Sequence, residues 1–239
     1  MKKVLEYLIK KRNPNFKFGN SIPISHFFAL SIRKLICLIR AHKYLFRLKK
    51  VNLLFIDKNV RMEGISNISW GKWVQIGNGT TLSSYGDSYL KIGNGVSLGS
   101  FSKYIVSSSF IEPGKHIIIG NNVGIGDFAH IGGGGGVEIG NDTIVGAYLS
   151  CHPSNHNFGD INKLIRNQGV NRAGIKIGEN CWLGAKVTIL DGVTIGNGSI
   201  IAAGAVVNKS FPENSIIGGV PAKLLKQRIN QKYSSEDII

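Results

Sequence analysis

The chain has 239 residues, 43% of them hydrophobic and 18% charged, enough apolar content for one sizeable core and a small appendage. Its net charge of +15 is unevenly placed: residues 1–50 hold 13 Lys and Arg against Glu6 alone, and the remainder holds 16 against 13 acids. That distribution argues against nucleic acid as a partner of the main body and directs the basic N-terminal segment towards an anionic surface.

No apolar stretch with a small-residue cleavage site follows the charged N-terminus, so no secretory signal is expected. Cys37, Cys151 and Cys181 include no CxxC pair, which supports neither a disulfide framework nor a zinc knuckle and fits a reducing compartment. The expected location is cytoplasmic, peripheral at the inner face of the plasma membrane. Residues 1–55 read as a basic, partly helical segment. Within 27–50, FFALSIRKLICLIRAHKYLFRLKK, the longest apolar run near the middle is Leu35 to Ile39, far short of the roughly 20 residues that span a bilayer. Arg33, Lys34, Arg40, Lys43 and Arg47 would be costly in hydrocarbon. Two readings stay open: a basic amphipathic helix on an anionic membrane, or a helix packed on the main body.

From about residue 74 a six-residue period emerges. Ile177, Leu183, Ile189, Ile195, Ile201 and Val207 are each six apart, with Val187, Val193, Ser199 and Ala205 two positions ahead of four of them. Ile119, Ile125 and Ile131 precede Ile139 and Val145 after a two-residue shift, and Ile76–Leu82 and Ile92–Leu98 begin the pattern. Neither a helix nor an alternating strand has this period. Short strands joined by tight turns do, with one aliphatic residue inward per face and Gly or Asn at corners that ask for positive φ. Three such faces make a coil, and stacked coils bury a continuous core. Residues 56–215 are therefore expected to form the repeat body and 216–239 a C-terminal helix and tail.

Two features interrupt the array. Gly132 to Gly136 are five consecutive glycines, either a corner or a place where a ligand approaches the backbone closely; without a lysine-serine/threonine partner they are not a P-loop, and the structural corner is the preferred reading. Between Leu149 and Ile175 the register vanishes for SCHPSNHNFGDINKLIRNQGVNRAG. So long an excursion, inserted at 150–174 and holding His152, His156, Asp160, Arg166 and Gln168, is expected to be an active-site loop.

The run 175–207, the loop sequence Asn155-His156-Asn157-Phe158 and the ending Ile217-Gly-Gly-Val-Pro-Ala-Lys-Leu-Leu-Lys resemble the hexapeptide-repeat acyltransferases, in particular sugar and polysaccharide O-acetyltransferases. The likeness covers roughly residues 74–228. It implies a mainly β fold: a left-handed parallel β-helix of hexapeptide repeats with a basic helical N-terminal segment, an extruded loop and a short C-terminal helix. It also implies a homotrimer with active sites between subunits, acetyl-CoA as co-substrate, a sugar or glycan acceptor and no metal. By resemblance His156 is the preferred catalytic base, with His152 the second candidate from its His-Pro context. Asn155, Asp160 and Arg166 would bind the acceptor, Asp160 alternatively orienting the base or standing solvated. Trp182, Ala185, Ala203, Asn208, Lys209, Lys223 and Lys226 would line the coenzyme site; Asn208 departs from the family's usual threonine, which removes a hydroxyl contact.

The chemistry has its own logic. A sugar hydroxyl needs a base near neutrality, which histidine supplies, and the oxyanion formed on attack of a thioester needs a hydrogen-bond donor. Three other readings compete. A γ-carbonic-anhydrase-like zinc site could draw on His116, His130, His152 and His156. A non-catalytic binding helix, such as an ice-binding array, needs a threonine ladder that the chain lacks. Cys151 beside His152 could act as a covalent nucleophile with ping-pong kinetics.

Overall fold

A computed structural model describes residues 23–42, 44, 53–107 and 113–229, with isolated positions 6, 7, 10 and 17. Lys43, Arg47, the rest of the N-terminal segment and the tail beyond 229 lie outside the described residues.

From Phe55 the chain winds through three parallel sheets in strict rotation. The first face stacks Phe55–Ile56, Gln75–Ile76, Ser97–Leu98, Gly124–Ile125, Ile144–Val145, Trp182–Leu183 and Ile200–Ile201. The second stacks Arg61–Glu63, Thr81–Ser83, Lys103–Ile105, His130–Gly132, Ser150–His152, Thr188–Leu190 and Val206–Val207. The third runs from Ile68–Trp70 to Thr194–Ile195. This is the stacked parallel coil expected from the repeat, the left-handed β-helix that the resemblance implied.

Register explains the period. On the first face Ile76, Leu98, Ile125, Val145, Leu183 and Ile201 pair directly with one another. On the second, Leu82, Tyr104, Ile131, Cys151, Ile189 and Val207 do the same. All of these side chains are buried. Each fully buried aliphatic residue contributes about 1.5–3 kcal/mol, so the column is the main source of stability. The coil also begins earlier than residue 74, because Ile56 and Ile68 already point inward.

The corners follow a rule the sequence obscured. The glycine of each Ile-Gly pair does not adopt positive φ. Instead, at most of these corners it lies against the backbone of the next coil: a Cβ on Gly140 would meet Gly178 C at 2.5 Å and Glu179 N at 2.6 Å. Positive φ falls two residues later, on Asn122, Asp142 and Asn180 at one corner and on Phe101, Phe128, Tyr148 and Lys186 at another. Between them a side-chain ladder bonds the coils: Asn121 Oδ1 accepts from Asn94 N, and Asn141 Oδ1 from Asn121 N, each at 2.8 Å. Phe101, Phe128 and Tyr148 stack with centroids 5.5 and 4.9 Å apart.

Helix α1, Ile24–His42, packs across the first strand of the first face and buries Phe27, Cys37 and Ala41. Asp57 anchors it, accepting from Arg33 at 2.5 Å and Arg40 at 3.4 Å. Burial opposes ionisation of that carboxyl, but the guanidinium of Arg33 and the Lys58 N–H outweigh it and hold its pKa below the ordinary carboxylate value. Of the two readings open for this segment, the packed helix is present. Its opposite side is left uncovered.

Over residues 216–227 the C-terminal helix expected for 216–239 is corrected by the structure. Ser215–Gly219 joins the first face, and Ala222–Gln227 folds back on it as an antiparallel strand. A parallel sheet that stops leaves a row of unpaired backbone groups, and the returning strand covers it. The helical look of Ala-Lys-Leu-Leu-Lys is overridden by this demand.

Candidate active site

The excursion is an arm with its own order. Ser150–His152 still pairs with Thr188–Leu190, so the arm proper runs from 153 to 174. Asn155–His156 forms a short antiparallel pair with Val170–Asn171, extended by Asn157 N donating to Gly169 O at 3.0 Å. Its tip is organised by Gln168, whose Oε1 accepts from Asp160 N at 3.0 Å and whose Nε2 donates to Asp160 O and Lys163 O at 2.8 and 2.9 Å. At the exit, Asp191 accepts from Ala173 N and Gly174 N at 3.0 and 2.7 Å. Phe158, Ile161, Leu164 and Ile165 are exposed on this arm.

Where the arm leaves the coil, the second face forms a groove of about 590 Å³. Its wall carries Arg61, Lys103 and Arg172, the rings of His130 and His152, and the backbone of Gly132–Gly134. Among the described residues no carboxylate lines it. The glycine run is structural in part: a Cβ on Gly135 would sit 2.2 Å from Pro153 O, and Gly136 has φ +97° with the His116 ring 2.8 Å from where its Cβ would be. The groove cations escaped the sequence because Arg61 and Lys103 occupy outward positions of separate coils, aligned with His130 only by register, while Arg172 comes from the returning arm.

The two candidate bases have different surroundings. His152 Nε2 is 2.7 Å from Ser150 Oγ, and its ring stacks on His130 with centroids 5.9 Å apart. His130 is held below the ordinary histidine pKa, first by burial and then by His152 and Lys103. His156 stands exposed on the arm, and its imidazole makes no hydrogen bond among the described residues. Asn155 is exposed in the same hairpin, and Arg166 is exposed in the short 3-10 turn Ile165–Asn167. Asp160 serves the arm itself, accepting from Asn162 N at 3.0 Å and pairing with Lys163 at 3.5 Å.

The coenzyme candidates divide into two sets within one chain. Trp182 projects from the first face, 47% exposed, flanked in register by Ile144 and Ile200. Ala185 and Ala203 occupy the next corner on adjacent coils, and Lys223 and Lys226 lie on the returning strand beside the first face. Asn208 and Lys209 sit at a different corner, after the second face, with Lys209 Nζ 5.7 Å from the Phe211 ring centroid.

The competing chemistries fare differently. His116 is on the third face, stacked on Tyr89 and 3.3 Å from Glu138, away from His130 and His152 on the second. No group of three or more metal-ligating side chains occurs among the described residues. Cys151 is an inward rung between Ile131 and Ile189 and fully buried. Burial pushes its thiol from 9.0 up to about 12, so it holds its proton at neutral pH and cannot reach a thioester. One consequence is measurable. The open chain loses this proton near pH 9 while the fold retains it to about pH 12, so stability contributed by the thiol is complete below the first value and falls through that window. The slope is at most about 1.4 kcal/mol per pH unit. Cys151→Val should flatten the alkaline decline of the urea midpoint; a decline as steep as in the parent would remove Cys151 as its source.

The profile of the bacterial transferase hexapeptide family, six repeats long, matches residues 174–209. A Mycobacterium tuberculosis protein named as an acetyltransferase is 27% identical over 74% of this chain and 50% of its own length. An Escherichia coli K12 protein named for O-acetyl transfer in lipopolysaccharide biosynthesis is 34% identical over 50% of this chain and 62% of its own. A Staphylococcus aureus protein named as an acetyltransferase is 42% identical over 38% of this chain and 42% of its own. The chain spans about half the length of the curated relatives it matches. A Bacillus cereus N-acyltransferase solved with coenzyme A and a dTDP-amino sugar overlays loosely, over 74% of this chain and 82% of that one, with 20% identity and a TM-score of 0.48. The matched repeats continue a coil that begins at Phe55, and over residues 174–209 the chain is similar to the bacterial hexapeptide transferases.

Proposed function

We propose that the protein transfers an acetyl group from acetyl-CoA to a sugar hydroxyl of a cell-surface polysaccharide or its lipid-linked precursor. The observation that carries this reading is the arm: a single ordered hairpin breaks the coil, presents His156, and rises beside a cationic groove. His156 is the base. Its ring nitrogens are uncommitted within the described residues, whereas His152 is taken up by Ser150 and His130.

In direct transfer, His156 would accept the hydroxyl proton as the oxygen attacks the thioester carbonyl. The tetrahedral oxyanion collapses with cleavage of the carbon–sulfur bond, and the proton passes from the imidazolium to the departing thiolate. No acyl-enzyme forms. Arg61, Lys103 and Arg172 give the groove the sign required by an acceptor bearing phosphate or carboxylate.

The separated coenzyme set fits a homotrimer, in which a neighbouring coil would face Trp182, Ala185 and Ala203 with its own Asn208 and Lys209. The test is thiol release from acetyl-CoA against a panel of neutral and anionic sugars, glycans and lipid-linked diphosphates. Turnover with an anionic glycan supports the reading. Hydrolysis without any acceptor dependence, or carbon dioxide hydration with stoichiometric zinc, would overturn it.

A further inference from the structure

The helix that docks on the coil has a second apolar side. α1 turns Phe27, Cys37 and Ala41 inward, and on its far side it exposes Phe28, Ile32, Leu35, Ile36 and Ile39. Positions 28, 32, 35, 36 and 39 follow the i, i+4, i+7, i+8, i+11 spacing of one helical stripe. Phe28, Leu35 and Ile39 are 60%, 57% and 61% exposed. A helix whose only task was to close the coil would be polar there. Five neighbouring large apolar side chains in water mark an interaction surface.

Charge identifies what covers it. The stripe lies in a segment with 13 Lys and Arg against a single acid. Arg33, two-thirds exposed, and Arg40 border the stripe while reaching Asp57 on the coil. No helix among the described residues is long and apolar enough to cross a membrane. An apolar stripe edged by cations, too short to span, has the composition of a helix lying in the plane of an anionic interface. We propose that α1 seats the protein on an anionic lipid surface through the Phe28–Ile39 stripe, with Asp57 clamping the helix to the coil. Such seating does not depend on the acyl-transfer chemistry.

Flotation of the full chain with vesicles tests it. Binding to phosphatidylglycerol-containing vesicles, weakened at high salt, is expected, with little binding to pure phosphatidylcholine. The triple change Phe28→Gln, Leu35→Gln, Ile39→Gln should reduce binding at least about tenfold while leaving the melting temperature in place, since these side chains face away from the core. In a separate variant, Leu35→Trp, emission from the introduced indole should shift to the blue on vesicle addition and be quenched by brominated lipid. Failure of the parent chain to float on anionic vesicles would overturn the proposal. So would an indole signal in that variant already blue-shifted without lipid and unmoved by it, which would mean that a second copy of the chain covers the stripe.

Discussion

His156→Ala is expected to lower kcat about 100- to 10,000-fold with little change in KM for acetyl-CoA, the range lost when a positioned general base is removed. The fold should be unaffected, because the side chain is exposed and makes no bond that holds the hairpin; the pairing with Val170 is through the backbone. His152→Ala should cost less, about tenfold, because that ring borders the groove but is committed to Ser150. The comparison decides the assignment. If His152→Ala proved the more damaging of the two, the base would sit at the root of the arm. Steady-state patterns supply a second check: intersecting lines for direct transfer, parallel lines for an acyl-enzyme, and undiminished turnover in the Cys151 variant.

The largest expected effect on stability is at a glycine that touches no ligand. Gly140→Ala would place a methyl 2.5–2.7 Å from three backbone atoms of Gly178 and Glu179, and backbone cannot swing aside as a side chain can. A loss of about 3 kcal/mol is expected, at the upper end of overpacking costs. At roughly 2–4 °C per kcal/mol for a body of this size, the melting point should drop visibly. Gly204→Ala is the control. It has φ +73° but nothing within 4 Å of its Cβ, and Lys186 occupies the equivalent corner position of the coil below with φ +59°. Its cost should be about 1–2 kcal/mol, the strain of an L side chain at positive φ without any clash. Equal losses at the two sites would mean that close approach of the coils costs no more than strain at an open corner, and would remove it as the reason glycine follows isoleucine.

That pair also shows how far the sequence can be read. Six-residue spacing is sufficient for the coil because every inward column is a ladder of like residues, and a ladder repeats in sequence. The same spacing cannot say why glycine follows isoleucine. Conformational freedom and close packing leave the same letter, and only the stacking distance separates them. The first coil is harder to see because Ile56, Met62 and Ile68 form one turn, too few to establish a period before Trp70 and Ile76 shift it. Ala222–Gln227 misleads because amphipathic spacing is a local property, whereas the strand it forms answers to an open sheet edge elsewhere. At the site, the arm is legible as a loss of register and its histidines as chemistry. The groove is not, since Arg61, Lys103, His130 and Arg172 lie far apart along the chain. The residues proposed for the coenzyme map to two corners of one subunit, as a site between subunits would require, and no pattern within one chain brings them together.

The arm leaves after His152 and returns at Ile175 without disturbing the rungs on either side: Cys151 still faces Ile189, and Val137 still faces Ile175. The core is therefore blind to how long the arm is or what it contains. Lengthening such a closed excursion twofold costs only about 0.6 kcal/mol in closure entropy. The arm thus behaves as an interchangeable cassette mounted on a fixed spindle. Chimeras that exchange residues 153–174 for the corresponding segment of another coil should keep their melting temperature while acquiring a different acceptor preference.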